Sequence, residues 1–217
     1  MRINEGPADA ATVTNTARRA QIVAAAIETI AEVGYAKASF ARITAAAALS
    51  SPRMISYHFA GKDDLMRQIV EDVLGTAVVF MRERIEAEES AGGRLRAYLE
   101  SNLEFLRDHP REMAALTEIG PHFDTGAGAP ATSVSVQEPS VLGLEVLLRG
   151  GQAAGEFRDF DIRSMAVMIR GAVDAAAQRL RAEPGFDFDA YSREVVASFT
   201  LATDRPAPKG ARRARNP

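Results

Sequence analysis

The stretch SFARITAAAALSSPRMISYHFAGK, residues 39–62, decides the fold of the first part of this chain. Ser39 is a candidate N-cap for a short helix over 40–47. Two serines followed by Pro52 are typical of the start of a second short helix, which would end near Tyr57. Two short helices joined by a turn of about four residues are the pattern of a helix–turn–helix, which we predict here.

Each of the two short helices can be assigned an inner and an outer face. The side chains expected to pack between the helices or beneath the second one are Ile43, Ala47, Leu49, either Met54 or Ile55, and Phe59. The positions left facing outward are Ser51, Pro52, Arg53, Ser56 and Tyr57. This outer face carries one arginine and no acid, so it suits a groove lined by phosphates.

The outer face also offers specific chemistry toward a nucleic acid. Arg53 could make a bidentate contact with guanine, which is worth roughly 1–3 kcal/mol of discrimination. Ser50, Ser51 and the backbone N–H groups at the start of the second helix could bind phosphate oxygens. These residues make the segment a candidate for binding double-stranded DNA, although an alanine-rich pair of short helices is, by itself, more often ordinary packing.

The charge of the whole chain is unevenly distributed. The formal net charge of the 217 residues is -3. Residues 15–62 nevertheless hold six lysines and arginines against two acids, residues 63–204 hold 14 against 25, and residues 205–217 hold five against none. A basic segment on an acidic body indicates that the polyanion partner belongs to that segment.

Composition excludes several classes of protein. With 47% hydrophobic and 25% charged residues, the chain is typical of a soluble globular protein. It has no cysteine, hence no disulfide, thiolate metal site or thiol nucleophile. No apolar run reaches the roughly 18 residues of a membrane span, and the first residues lack the apolar core of a secretory signal. These features favour a cytoplasmic location.

Apolar spacing predicts helices along the rest of the chain and no strand. After an arm at 1–15, a first helix runs to Gly34. The helices after residue 61 are expected at about 62–89, 95–109, 111–119, 141 to either 151 or 155, 161–181 and 188–203. The fold class is therefore all-α, with nine helices.

Three stretches resemble the TetR family of transcriptional regulators: RRAQIVAAAIETIAEVGY (18–35), ITAAAALSSPRMISYHFAGKDDL (43–65) and, less specifically, GEFRDFDIRSMAVMIRGAVDAAA (155–177). The resemblance is specific over 16–76. It implies a helix–turn–helix domain at 16–76, a ligand-binding and dimerisation domain at 77–205, and a basic tail at 206–217. It also implies a homodimer that represses transcription until a small effector releases it from a pseudo-palindromic operator.

The resemblance also assigns roles to residues. Arg53, with Pro52 and Met54, would face base edges, and Lys62 would open the fourth helix against a phosphate. The full set expected to bind DNA is Ser39, Arg42, Ser50, Ser51, Pro52, Arg53, Met54, Ser56, Tyr57, His58 and Lys62. The turn position that usually holds glycine is Ala48, which would cost about 1 kcal/mol if its φ is positive.

The second domain is expected to hold the effector and the dimer contact. The residues expected to line an effector pocket are mainly apolar with a few polar groups, which suits a largely apolar effector: Phe105, Met113, Leu116, His122, Phe123, Leu144, Met165, Met168 and Ile169. The three methionines among them are more often core residues than pocket lining. The eighth and ninth helices would form the dimer interface through Ala172, Ala176, Leu180, Val195 and Phe199. Small alanines there would let helix backbones approach closely.

Two alternatives stay open. The same fold could activate transcription, or respond to a protein partner. An all-helical enzyme is the remote alternative, but the Glu-x-x-His pairs of a di-iron site are absent, because Ile55, Leu106 and Ile119 precede the three histidines at that spacing. We therefore expect no enzymatic activity, catalytic residue, metal or cofactor, and no membrane association.

Overall fold

The structure, a computed structural model, describes residues 7–122 and 133–205, with side chains over 15–122 and 138–205. Within these ranges the chain forms nine α-helices and no β-strand, apart from a single bridge between Phe157 and Asp204. The prediction of an all-α fold is confirmed. The basic tail at 206–217 and the pocket candidate Phe123 lie outside the described residues.

The helices follow the predicted order closely. Their bounds are α1 Pro7–Val33, α2 Phe40–Ala46, α3 Arg53–His58, α4 Lys62–Glu86, α5 Ala91–Asp108, α6 Pro110–Ile119, α7 Ser133–Ala153, α8 Ile162–Ala182 and α9 Phe188–Thr203. Two short 3₁₀ turns occupy Tyr35–Lys37 and Gly120–His122. Gly34 ends α1 with φ 80, a conformation that favours glycine over other residues.

The first helix starts earlier than the sequence pattern predicted. We expected an arm over 1–15 and helix from Asn15, whereas α1 begins at Pro7. Proline is well suited to the first turn of a helix, and the alanines that follow it have the highest helix propensity. High helix propensity thus extends α1 into a stretch whose apolar residues show no helical spacing.

The chain divides into two compact units, each with its own core. The first contains Met1–Phe80 and Glu104–Val136, and the second contains Met81–Leu103 and Gln137–Pro217. We predicted a boundary at residue 76, close to Phe80, but the division also assigns the end of α5 and all of α6 to the helix–turn–helix unit. The reason is that α6 packs along α1 and buries Ala115 and Ile119 in the core of the first unit.

The core of the first unit is shared by α1 to α6. Its fully buried large side chains include Ile22, Ile30, Ile43, Ile55, Leu65 and Ile69. Glu28 on α1 forms an ion pair with Arg111 on α6. Gln21 donates to the carbonyl of Ala47 at 2.7 Å and so joins α1 to the end of α2. These contacts fix the two short helices on a larger scaffold.

The second unit is built from the first part of α5 with most of α7, α8 and α9. Its buried residues include Leu95, Leu99, Leu103, Leu144, Leu148, Ile169 and Val173. The Glu156 carboxylate accepts from the Ala91 N–H at 2.7 Å, which caps the start of α5. The Tyr191 hydroxyl donates to the Ala172 carbonyl at 2.8 Å and ties α9 to α8. In the part of the chain that the structure describes, no helix is both long and apolar enough to cross a membrane.

Candidate nucleic-acid interface

The turn between α2 and α3 depends on Ala48. Among the described residues it is the one non-glycine residue with positive φ, at 51°. The Leu49 N–H donates to the Thr44 carbonyl at 2.9 Å, and the Ala48 N–H donates to the Ala45 carbonyl at 3.1 Å. This bond pair is the Schellman motif, which ends a helix with one residue in the left-handed region. The turn between α2 and α3 thus depends on Ala48 adopting a left-handed conformation, which is unfavourable for alanine.

The two short helices begin differently. Ser39 caps α2, as predicted, by accepting from the Arg42 N–H at 3.3 Å. The expectation that a serine caps α3 is wrong. Pro52 takes the cap position with helical angles, φ -59 and ψ -23, and no side chain caps this end. The Ser50 hydroxyl instead bonds to the Met54 sulfur at 3.2 Å. The Ser51 carbonyl accepts from the Met54 N–H at 3.1 Å and the Pro52 carbonyl from the Ile55 N–H at 3.0 Å, so these first-turn donors are bonded without a side-chain cap.

The outer face of α3 matches the sequence prediction. Ile55 is fully buried and Phe59 nearly so, which selects Ile55 over Met54 as the deeper anchor. Pro52, Arg53 and Ser56 are exposed and Ser51 is partly exposed. Tyr57 is 80% exposed, which is unusual for an aromatic side chain in a folded unit. A tyrosine and an arginine therefore project from a helix whose opposite face is fixed in the core.

His58 closes α3 as a neutral structural residue. Its carbonyl accepts from the Arg19 guanidinium, and its Nδ1 lies 2.9 Å from the Asn15 Oδ1. Burial lowers the pKa of His58, and the charges of Arg19 and Arg18 lower it further. An imidazole beside two arginines thus adds no positive charge near neutral pH.

Arg19 is a structural residue of this interface that the sequence prediction did not include among the site residues. Its guanidinium lies 4.3 Å from the Phe59 ring centroid and donates to the Gln68 side chain at 2.7 Å, besides holding the His58 carbonyl. With these three contacts it ties α1, the end of α3 and α4 together. A signal was present in the sequence, since Arg19 lies in the RRAQIVAAA stretch, but its partners are about 40 to 50 residues away.

Lys62 is anchored at the first residue of α4. Its ammonium donates to the Tyr35 carbonyl at 2.7 Å and lies 3.9 Å from the centroid of the Tyr35 ring. Burial lowers the pKa of Lys62, although Asp63 opposes the shift. The other face of the Tyr35 ring stacks on His122 at 4.1 Å, and the Tyr35 N–H donates to Glu118 at 3.3 Å. Tyr35 therefore positions Lys62, a role that the sequence analysis missed.

Other predicted DNA-binding residues remain available. Arg42 and Arg53 are exposed, and neither forms an ion pair with any residue that the structure describes. Lys37, on the 3₁₀ turn after α1, is exposed in the same way. In contrast, Arg67 pairs with Asp64, three residues earlier on the same helix, α4. The first unit therefore presents several unpaired cations together with the outer face of α3.

The residues predicted to line an effector pocket are divided between the two units. Phe105 is buried in the core of the first unit, with Met113 and Leu116 packed against it. The exposed His122 belongs to this unit as well. Leu144, Met165 and Ile169 are buried in the second unit. Met168 is 53% exposed, so it lies on the outside of α8 and not in an enclosed space.

The predicted dimer residues also need one correction. Ala176 and Val195 are buried inside the second unit of a single chain, so they are core residues and cannot be the main contact with a partner. Ala172, Leu180 and Phe199 are partly exposed. The sequence pattern placed three of the five on an apolar stripe of α8 and two on an apolar stripe of α9, but the buried residues of each stripe belong to the core of the unit.

The comparisons with known proteins identify the class of this segment. Residues 22–69 match the family model described as bacterial regulatory proteins of the tetR family. These residues run from α1 through the turn into α4, so the resemblance drawn from the sequence is confirmed for this segment.

Curated and solved relatives extend the likeness in different ways. The chain is 43% identical over 91 residues to the HTH-type transcriptional regulator BetI 1 of Chromohalobacter salexigens, a match that covers 40% of this chain and spans less than half, 43%, of that relative. A second curated relative from the same organism, BetI 2, is 38% identical over 91 residues, 42% of its length.

The fold is shared over most of the chain. A bacterial regulatory protein of the tetR family from Rhodococcus RHA1 has a TM-score of 0.72 at 17% identity, covering 88% of this chain and 98% of its own. The transcriptional regulator FadR of Bacillus subtilis, solved in complex with stearoyl-CoA, has a TM-score of 0.70 at 21% identity, covering 84% and 98%. At these identities the likeness establishes the fold alone.

Proposed function

We propose that this protein is a sequence-specific DNA-binding transcriptional regulator whose affinity for its operator is changed by a small effector. The observation that carries the proposal is the outer face of α3. Arg53 and Tyr57 project from a helix anchored by Ile55 and Phe59, so binding to base edges requires little reordering of the protein.

The cations around α3 support contacts with the phosphate backbone of DNA. Arg42 and Lys37 are exposed and unpaired within the described residues, as phosphate contacts require. Lys62 is held by Tyr35 through one of its three N–H groups, which leaves two for a phosphate. Ser50 and Ser51 flank the start of α3 and add hydroxyl groups that can bond to phosphate oxygens.

A homodimer is the second part of the proposal. On the outer side of α8, Val167 and Met168 are exposed next to Gly171, and on α9 Leu201 is 75% exposed near Ala197. The bond between Tyr191 and Ala172 shows that α8 and α9 lie side by side within the unit. Large exposed apolar residues among small ones suit a close helix–helix contact with a second copy. These residues replace Ala176 and Val195 as the proposed centre of the interface.

Repression, with release by the effector, is the mode we propose. The relative from Bacillus subtilis was solved with stearoyl-CoA, which is consistent with a partly apolar effector here. The same fold would serve an activator equally well, and the sign of regulation is decided by where the operator lies relative to the promoter.

Fluorescence anisotropy with the DNA upstream of the protein's own gene tests the proposal. We expect tight binding to that duplex, weaker binding to a scrambled duplex, and a steep decline with salt. Arg53→Ala should remove most of the preference. Arg149→Ala is the matched control, because Arg149 is an exposed arginine of the second unit and its loss changes the net charge equally. Equal binding to every duplex by the parent protein would contradict sequence-specific recognition.

Two variants separate DNA binding from dimerisation. Leu201→Glu should give a monomer by light scattering, because it places a charge in the proposed interface. Tyr57→Glu should remain a dimer and lose DNA affinity, because it places a charge against phosphates. If Leu201→Glu stays dimeric, the interface proposed on α8 and α9 is wrong.

A further inference from the structure

The second unit contains a polar cluster inside its helical packing. Arg170 and Asp174 are four residues apart on α8, and Tyr98 and Asn102 have the same spacing on α5. Side chains at this spacing lie on one face of a helix. Burial raises the pKa of Tyr98, and hydrogen bonds of its side chain with Arg170 and Asn102 oppose the shift, so the two helix faces meet at this tyrosine.

The bonds within the cluster leave one oxygen without a partner. Asp174 Oδ1 accepts from Arg170 Nε at 2.8 Å and from Arg170 Nη2. Asp174 Oδ2 is buried and has no hydrogen-bond partner among the described residues. Asn102 Nδ2 is occupied by the Tyr98 carbonyl at 2.9 Å, so it does not supply the missing donor. A buried acceptor left in this state is destabilising relative to one that is hydrogen-bonded.

The cluster is poorly suited to a purely structural role. Side chains of Arg170 and Asp174 are only 15% and 22% exposed. Burial disfavours the charged guanidinium, but the bond to Asp174 and its charge leave the pKa of Arg170 above its usual range. Such pairs can be replaced by apolar residues without loss of stability, because desolvation offsets their attraction. By contrast, Arg179 and Glu183, four residues apart further along α8, are half-exposed.

We propose that Tyr98, Arg170 and Asp174 form the polar end of the effector site, and that this site takes a neutral hydrogen-bond donor, a hydroxyl or amide group, carried on an apolar body. This rests on the proposed function and names the effector's chemical class. Arg170 and Asp174 neutralise each other, so a cationic or anionic head group would bring an unpaired charge into the interior. A neutral donor supplies only the bond that Asp174 Oδ2 lacks.

The apolar part of the site is supplied by the same helices. Leu99, Met165, Ile169 and Val173 are buried in this unit. Leu99 follows Tyr98 on α5, and Ile169 and Val173 immediately precede Arg170 and Asp174 on α8, so these side chains lie on the helix faces next to those of the polar cluster. Binding requires α5 and α8 to separate slightly, because Asp174 Oδ2 is closed off from solvent. Effector binding is thereby coupled to a change in helix packing.

A matched series of probes tests the proposal on the full chain. Octanamide, 1-octanol, octanoate and octylamine share one chain length and differ in head group. We expect the amide and the alcohol to raise the melting temperature and to titrate by calorimetry, and the two charged probes to bind at least tenfold more weakly. Equal binding of all four, or no binding of the neutral pair, would overturn the proposal.

Variants separate a binding role from a folding role. Arg170→Met with Asp174→Leu should fold as stably as the parent and lose the preference for neutral probes, whereas a strongly destabilised double variant would show that the cluster is structural. Tyr98→Phe, a milder change, should weaken octanamide binding several-fold. Glu183→Gln is the control, because it breaks an exposed pair of the same spacing on the same helix.

Probe binding is measured without DNA, so its outcome is independent of the proposed function. A protein that binds its operator but fails the probe series would refute only the effector class. A protein that binds the neutral probes but no DNA would refute the regulator and leave the site.

Discussion

Replacing Ala48 by glycine should stabilise this protein. Ala48 holds φ at 51°, where an alanine costs about 1–2 kcal/mol relative to a right-handed conformation. The methyl group is exposed, so its removal forfeits no buried surface. Glycine also raises the conformational entropy of the unfolded chain, which reduces this stabilisation by about 0.4–1 kcal/mol. The net gain is therefore about 0.5–1 kcal/mol.

Thermal unfolding followed by circular dichroism measures this gain. For a chain of this length, about 2–4 °C of melting temperature corresponds to each kcal/mol, so we expect a rise of about 1–4 °C. Ala46→Gly is the matched control. It makes the same chemical change at an exposed position in the last turn of α2, and should cost about 1 kcal/mol.

The two glycine variants must therefore shift stability in opposite directions. If Ala48→Gly lowers the melting temperature as Ala46→Gly does, the turn is not left-handed in solution, and the Schellman motif assigned to it is wrong. Both variants are measured at one protein concentration, because association changes the apparent stability.

Three further predictions concern the same unit. Ile55→Ala should reduce the free energy of unfolding by about 2–5 kcal/mol in urea, and Met54→Ala by clearly less, because only Ile55 is fully buried; equal losses would contradict the assignment of the anchor. Ser39→Ala should cost about 1 kcal/mol through loss of the α2 cap, and Ser50→Ala close to nothing, since it caps neither helix. The pKa of His58 is lower in the folded state than its ordinary value of about 6.5, so below pH 6.5 the unfolded state binds more protons and the stability should fall as the pH drops. His58→Gln should reduce the pH dependence of the urea midpoint between pH 7 and 5. An unchanged dependence would refute the lowered pKa.

Local chemistry explains what the sequence could predict. The turn at Ala48, the cap at Ser39 and the exposed face around Arg53 all depend on residues within a few positions of one another. Capping, proline geometry and helical spacing act over that range, so these features could be inferred directly. Even the strained position was identified, because only one residue in the turn stands where glycine is usual.

The errors occur where a residue's role is set by a distant segment. Ala176 and Val195 lie on an apolar stripe, and the pattern alone does not distinguish the side of a helix that meets its own core from the side that meets a second copy. The placement of Phe105 depends on α6 packing along α1, a contact between segments that are about 90 residues apart. The polar cluster at Arg170 was missed for the same reason, since its partner Tyr98 lies on another helix.

The basic segment shows how the two kinds of information combine. Its six cations are equivalent in the sequence, but the structure separates those that already bind other groups of the protein from those that do not. Arg19 binds a carbonyl, an amide and an aromatic ring, and Lys62 binds the Tyr35 carbonyl, so both fix the helices in place. Arg42 and Arg53 have no such partner within the described residues. The anchored charges hold α3 and α4 in place, and the free ones are the proposed contacts with DNA. A rigid frame of this kind reduces the entropy that the proposed binding must overcome.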